Sequence, residues 1–186
     1  MNICLVRHGQ DEDNAADILN GRRNTPLTKL GVRQAKAVAS QIDREISDVA
    51  AIYTSPLLRA QQTAKIIADK IGVNAVINED DLIERDYGVL SGKSRSDIPK
   101  YSSDNLEVDG VLYFLNAENA ETFPATYERA KRILKKIQDS YNSTVVMVAH
   151  RDICVMIQAA YNNWGWEEGL QRAHMDNATI LLLKQH

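Results

Sequence analysis

Ile3-Cys4-Leu5-Val6-Arg7-His8-Gly9 is an apolar run that stops at a cation, an imidazole and a glycine. A short apolar run bounded by a turn signal reads as a buried strand. Reactive residues at its end then lie at the carboxyl edge of a sheet, where open α/β folds bind ligands. The pattern recurs: Ala50-Ala51-Ile52-Tyr53-Thr54 ends at Ser55, and Thr144-Val145-Val146-Met147-Val148-Ala149 ends at His150. The last run is nearly continuous and rich in β-branched residues, as expected of a central parallel strand covered on both faces.

Helical spacing fills the gaps between these runs. Ala35, Val38, Ala39, Ile42 and Ile46 share one face of a segment from Lys29 to Ile46, with Thr28 as its N-cap. Ser55 is placed to cap a second helix with Pro56 at its first position, running to the stop signal Gly72 and carrying Arg59 in its first turn. Further helices are predicted over Thr122 to Tyr141 and Asp152 to Asn163, and further strands over Val73 to Ile77 and Ala178 to Leu183. Strands alternating with helices predict an α/β fold, a three-layer α/β/α sandwich with a mainly parallel central sheet.

A chain of 186 residues fits one domain, 1–186, with a substantial core. Its 44% apolar and 25% charged composition argues against disorder or a fibrous fold, and a net charge of −3 gives no general attraction to nucleic acid or an anionic membrane. Any anion site must therefore be local. Cys4 and Cys154 lack disulfide density and zinc spacing, so buried free thiols are expected. No charged leader precedes the first apolar run, and no run approaches the roughly 20 residues that span a bilayer, so a soluble cytoplasmic protein is expected.

The connecting stretches carry the remaining candidates. Asp11-Glu12-Asp13 reads as a solvated first helical turn, whereas Asn14, six residues past His8, is equally placed to bind a phosphoryl group or the imidazole. Gly21 lies in the Asn20-Gly21 turn. The stretch from Asp80 to Gly88 holds four acids, with Leu82 and Ile83 embedded as anchors; partial burial of one acid would raise its pKa and make it a proton donor. From Gly92 to Pro124 the pattern loosens into an excursion suited to covering the site, in which Tyr113-Phe114 is expected to pack. His174 and His186 have no partner at metal spacing and are left out of the site.

If the three chemistry-bearing strands are neighbours, two histidines and two arginines converge at one edge. Guanidinium forks pair with phosphate oxygens, and a neutral imidazole attacks phosphorus to form a phosphohistidine. Paired histidines also suit zinc, but adjacent arginines would repel a dication, so neither metal nor cofactor is expected.

At these residues the sequence resembles the histidine phosphatase superfamily, in its phosphoglycerate mutase-like branch. The resemblance rests on Arg7-His8-Gly9 with Asn14, Thr25-Pro26-Leu27-Thr28 with Gly31 and Gln34-Ala35, Ser55-Pro56-Leu57 with Arg59-Ala60 and Gln62-Thr63-Ala64, and Leu82 through Gly88 with Leu90 and Gly92. It returns at Glu121-Thr122, Val145 to His150 and Asn177. The resemblance implies that His8 is the phosphorylated nucleophile, that Arg7, Arg59 and His150 hold the phosphoryl oxygens with Asn14 beside them, and that Glu84 is the proton donor.

Two positions depart from the family pattern. Arg151 stands where a glycine usually follows the second histidine, and Ala120-Glu121-Thr122 replaces Gly-Glu-Ser. Arg151 is expected to face outward, with crowding of the pocket or a third phosphate contact as alternatives. The resemblance implies a phosphomonoester hydrolase acting on a small phosphorylated metabolite, with inorganic phosphate as the other ligand. Cofactor-dependent mutases of the family are longer, with larger insertions after the Glu84 region, which favours the phosphatase. The alternatives are a phosphoglycerate mutase, a protein phosphohistidine phosphatase and a non-catalytic phosphate-binding module.

Overall fold

The computed structural model describes residues 1–184; His186 lies outside them. In chain order the elements are β1 (Asn2–Arg7), α1 (Glu12–Ala15), α2 (Lys29–Glu45), β2 (Val49–Thr54), α3 (Leu58–Ile71), β3 (Val76–Asn78), α4 (Ile98–Tyr101), β4 (Asn105–Val108), β5 (Val111–Phe114), α5 (Phe123–Ser140), β6 (Thr144–Ala149), α6 (Arg151–Tyr161), α7 (Trp166–Arg172) and β7 (Ile180–Lys184). The main sheet has the order β3-β2-β6-β1-β7, with β7 alone antiparallel to its neighbour.

Alternation along the strands divides the core into two layers. Ile3, Leu5, Val145 and Met147 pack against α5 and α6, while Cys4, Val6, Val146 and Val148 pack against α2 and α3. The fold is thus the expected three-layer sandwich. Every residue of β6 is buried because both of its faces are covered and it has a strand on either side. Cys4 and Cys154 are buried free thiols. No helix among the described residues is long and apolar enough to cross a membrane.

β1, β6 and β2 lie side by side and parallel, so His8, His150 and Ser55 follow the carboxyl ends of adjacent strands. Gly9 is required by a close approach: a Cβ there would enter the carbonyl of Gly31, and a Cβ on Gly31 would enter that of Gln10. Thr28 caps α2 by accepting the Gly31 N–H.

Ser55 departs from its expected place. The helix begins three residues later, at Leu58, with no side-chain cap, so Pro56 lies outside it. The Ser55 hydroxyl accepts the Leu57 N–H and turns its other side to His150. The third strand is also displaced, covering Val76–Asn78, because only these residues pair with β2. The excursion after Gly92 contains a separate antiparallel hairpin, β4-β5, whose Phe114 packs edge-on against Tyr87.

Candidate active site

His8 is buried, and its Nδ1 lies 2.6 Å from the Gly9 carbonyl oxygen. A carbonyl only accepts, so Nδ1 carries the proton and the lone pair resides on Nε2. Arg59 Nε donates to that atom at 3.2 Å. Burial, then Arg59 and Arg7, hold the imidazole well below the ordinary histidine range, so His8 is neutral at physiological pH.

Arg59 is fixed on every side. Its guanidinium donates to the carbonyls of Arg23 and Gly21, and its Nε lies 3.1 Å from Asp11. Gly21 takes φ +49°, and a Cβ there would press on the Tyr87 ring, so its contribution is a carbonyl placed by a left-handed turn. Asp11, expected in solvent, is fully buried; it caps α1 through the Asn14 N–H and pairs with Arg59. Asp13 is buried as well, paired with Arg23, so of the acidic cluster only Glu12 faces solvent.

His150 lies opposite, its ring centroid 5.0 Å from that of His8. Its Nε2 is 2.7 Å from Ser55 Oγ. That hydroxyl accepts from Leu57 and has its own proton to give; in the tautomer in which Nε2 takes it, the ring proton lies on Nδ1. Nδ1 is buried without a hydrogen-bond partner, as is Arg7 Nε, whose guanidinium is anchored through the Met175 carbonyl. Buried donors are rarely left unpaired, and two such donors beside a neutral imidazole suit an anion. Asn14 Oδ1 accepts the Asn177 amide N–H, leaving the Asn14 amide N–H groups as donors.

Glu84 follows the anchor Leu82, which is buried, while Ile83 is half-buried. Arg129 donates to the carbonyls of Asp81 and Ile83 and Arg22 to that of Glu84, so this loop is tied to its surroundings. The carboxyl accepts N–H groups from Arg85 and from Asp152 and Ile153 at the start of α6. Burial, and then the Asp152 charge, push it up to about 7, where a carboxyl exchanges a proton readily.

His8, Arg7, Asn14 and Glu84 line one narrow cavity of about 20 Å³, and Leu112, Tyr113 and Phe114 of β5 form its apolar side. Arg151 also lines it, contrary to the outward orientation expected of it. It is the first residue of α6, directly after His150, and its side chain is mostly buried. Among the described residues no group of three or more His, Cys, Asp or Glu is placed to hold a metal ion, and His174 pairs instead with Asp176.

The histidine phosphatase superfamily (branch 1) model matches residues 3–186. The chain belongs to this superfamily. Among its relatives, phosphoserine phosphatase 1 of Hydrogenobacter thermophilus is 34% identical over 194 residues, covering 98% of this chain and 90% of that protein. A 2,3-bisphosphoglycerate-dependent phosphoglycerate mutase of Parvibaculum lavamentivorans is 32% identical over 158 residues, covering 80% and 73%. The same fold occurs in a mycobacterial glucosyl-3-phosphoglycerate phosphatase complexed with VO3, with a TM-score of 0.84 at 21% identity, covering 100% of this chain and 91% of that one.

Several of the motif residues are backbone ties around His8 and the loops beside it. Thr63 Oγ1 accepts the Gly9 N–H, Gln34 accepts that of Gln10, and Gln62 accepts that of Leu27. Sequence reasoning missed Asp11 as the Arg59 anchor and Ser55 as the His150 partner. The only available signal for Ser55 was its place at a strand end, shared with His8 and His150.

Proposed function

We propose that the protein hydrolyses small phosphomonoesters through a phosphohistidine on His8. The observation that carries this reading is the His8 tautomer: Nδ1 donates to Gly9, leaving the Nε2 lone pair beside Arg59. In the first step Nε2 attacks phosphorus in line, the P–O ester bond breaks, and the Glu84 carboxyl gives its proton to the departing alkoxide. In the second, Glu84 takes a proton from water, the resulting hydroxide attacks phosphorus, and the N–P bond breaks to return the electron pair to Nε2. Arg7, Arg59, His150 Nδ1 and the Asn14 amide hold the phosphoryl oxygens in both steps.

The apolar roof supplied by Leu112, Tyr113 and Phe114 favours a small metabolite over a protein-bound phosphohistidine. We read residues 92–124 as a cap on one domain, 1–186. The buried free thiols fit a reducing compartment, the cytoplasm. Similarity to mutases supports a second reading, in which the phosphoryl group passes to another hydroxyl instead of water; isomerase activity dependent on 2,3-bisphosphoglycerate would establish it.

The deciding test is His8→Ala beside wild type on a panel of phosphomonoesters without added metal. Wild type is expected to release phosphate and to trap an acid-labile phosphoenzyme, with turnover in the mutant reduced by roughly 10⁴-fold or more. Retained turnover in His8→Ala would overturn the assignment. Phosphate binding without turnover by wild type would leave a binding module.

A further inference from the structure

Arg151 is a cation in the cavity whose charge the protein compensates only loosely. Its side chain is 17% exposed, its Nε is buried without a hydrogen-bond partner, and its ion pair is a loose 3.6 Å approach to Asp176, itself 71% exposed. The other charges nearby are committed. Arg85 Nε holds Asp152 at 2.8 Å, and Asp11 is held by Arg59. Glu84, pushed up to about 7, is only partly charged at neutral pH.

The position relative to Arg7 separates two uses of such a cation. Arg7 is lowered to about 10 by burial and next by Arg151, so the two guanidiniums crowd each other inside one cavity. Arg7 has its unpaired Nε for the phosphoryl group. Arg151 lines the cavity together with Arg7 and His8 on one side and Tyr113 and Phe114 of the apolar roof on the other. That is the side on which the leaving alcohol must sit, because His8 attacks from the floor.

We infer that Arg151 reads a second acidic group on the leaving alcohol, so that the preferred substrate is a phosphomonoester carrying a carboxylate or a second phosphate. The inference rests on the phosphoryl pocket proposed above. An acidic tail relieves the Arg7–Arg151 repulsion and satisfies the orphaned Nε. A neutral tail does neither. A charge-assisted bond in a partly buried site is worth roughly 1.5–3 kcal/mol, or about 10- to 150-fold in affinity.

Non-hydrolysable phosphonates separate this inference from the catalytic reading, because they report binding without turnover. We expect calorimetry to show 3-phosphonopropionate binding wild type at least roughly 10-fold more tightly than propylphosphonate. Propane-1,3-bisphosphonate, measured in parallel, distinguishes a carboxylate from a phosphate as the better tail. Arg151→Gln is expected to erase the preference for acidic tails while changing propylphosphonate affinity less than roughly threefold, and Arg151→Lys to restore part of it. Asp176→Asn, which removes the competing carboxylate, should strengthen the preference without touching Arg151. Equal losses for acidic and neutral ligands in Arg151→Gln would make Arg151 a phosphoryl contact and overturn the inference, as would no loss for either. Failure of wild type to turn over any ester would count against the hydrolase alone.

Discussion

The floor and the roof of the cavity are built in opposite ways. On the floor, His8 lines the cavity with Arg59 and His150 beside it; all three follow or adjoin the ends of strands in the main sheet, are buried, and are held by at least one hydrogen bond from elsewhere in the chain. The roof comes from the β4-β5 hairpin, which shares no strand pairing with the main sheet, and it presents Val111 to Phe114 to the cavity. Buried, cross-linked polar groups fix a reaction geometry. An apolar hairpin held against the rest of the chain by side-chain packing offers a surface for the leaving group. The contrast implies that floor substitutions change rate by orders of magnitude, whereas roof substitutions change substrate choice by small factors.

Glu84→Gln should have the largest effect in this comparison. Turnover of an alkyl phosphate is expected to fall by about 10²- to 10⁴-fold. With 4-nitrophenyl phosphate, whose leaving group needs no proton, a burst of nitrophenol should persist and the phosphoenzyme should accumulate for want of a base. Stability should move the other way. Glu84 is raised to about 7 in the folded protein from an ordinary value of 4.5, so its proton is bound more tightly in the folded state. The stability it contributes is fully present below pH 4.5 and is lost as pH rises through 7. The glutamine variant mimics the protonated acid, and denaturant melts should find it more stable than wild type by roughly 3 kcal/mol at pH 8, with little difference at pH 4. A variant less stable than wild type at pH 8 would show that Glu84 is ionised without cost.

Ser55→Ala probes a single bond in the floor. Without the hydroxyl, His150 loses the partner that sets its tautomer. We expect kcat/KM to fall by roughly 3- to 10-fold and stability by about 1 kcal/mol. Inhibition by inorganic phosphate should weaken in parallel, since His150 Nδ1 is proposed to bind the phosphoryl group. Unchanged phosphate inhibition would reduce Ser55 to a loop contact.

The floor was more legible in the sequence than the roof, for a physical reason. Apolar runs ending in His8, Ser55 and His150 announce buried strands whose ends meet once the strands are parallel neighbours, and the order β2-β6-β1 brings them together. What pairing does to a polar side chain was not legible. Asp11 lies in a cluster that looks solvated, and only the approach of Arg59, distant in sequence, makes its burial affordable. Ser55 had two possible partners, a helix N-terminus or an imidazole, and local sequence favours the first. Arg151 was expected to face outward as a tolerated side chain, yet as the first residue of α6 it lines the cavity. The hairpin showed itself only as the apolar patch Val111 to Leu115, since pairing across a turn at Asp109-Gly110 leaves little periodicity in strands this short.

Leu112→Ala tests the roof where its effect should be smallest. Leu112 is half-buried, lines the cavity, and packs against a cluster that includes Tyr87 and Phe114. Truncating it removes apolar surface facing the leaving alcohol but touches no group proposed to contact phosphorus. A partial loss of such contact is worth about 1 kcal/mol, which predicts a KM roughly fivefold higher for esters with an alkyl leaving group. The kcat and the inhibition constant for inorganic phosphate should both hold, because phosphate alone does not reach the roof. If kcat fell with KM unchanged, the hairpin would be acting on the floor, through the Arg85 guanidinium that lies 4.0 Å from the Phe114 ring and pairs with Asp152 beside Glu84. That outcome would make the two regions one unit and remove the division of labour between them.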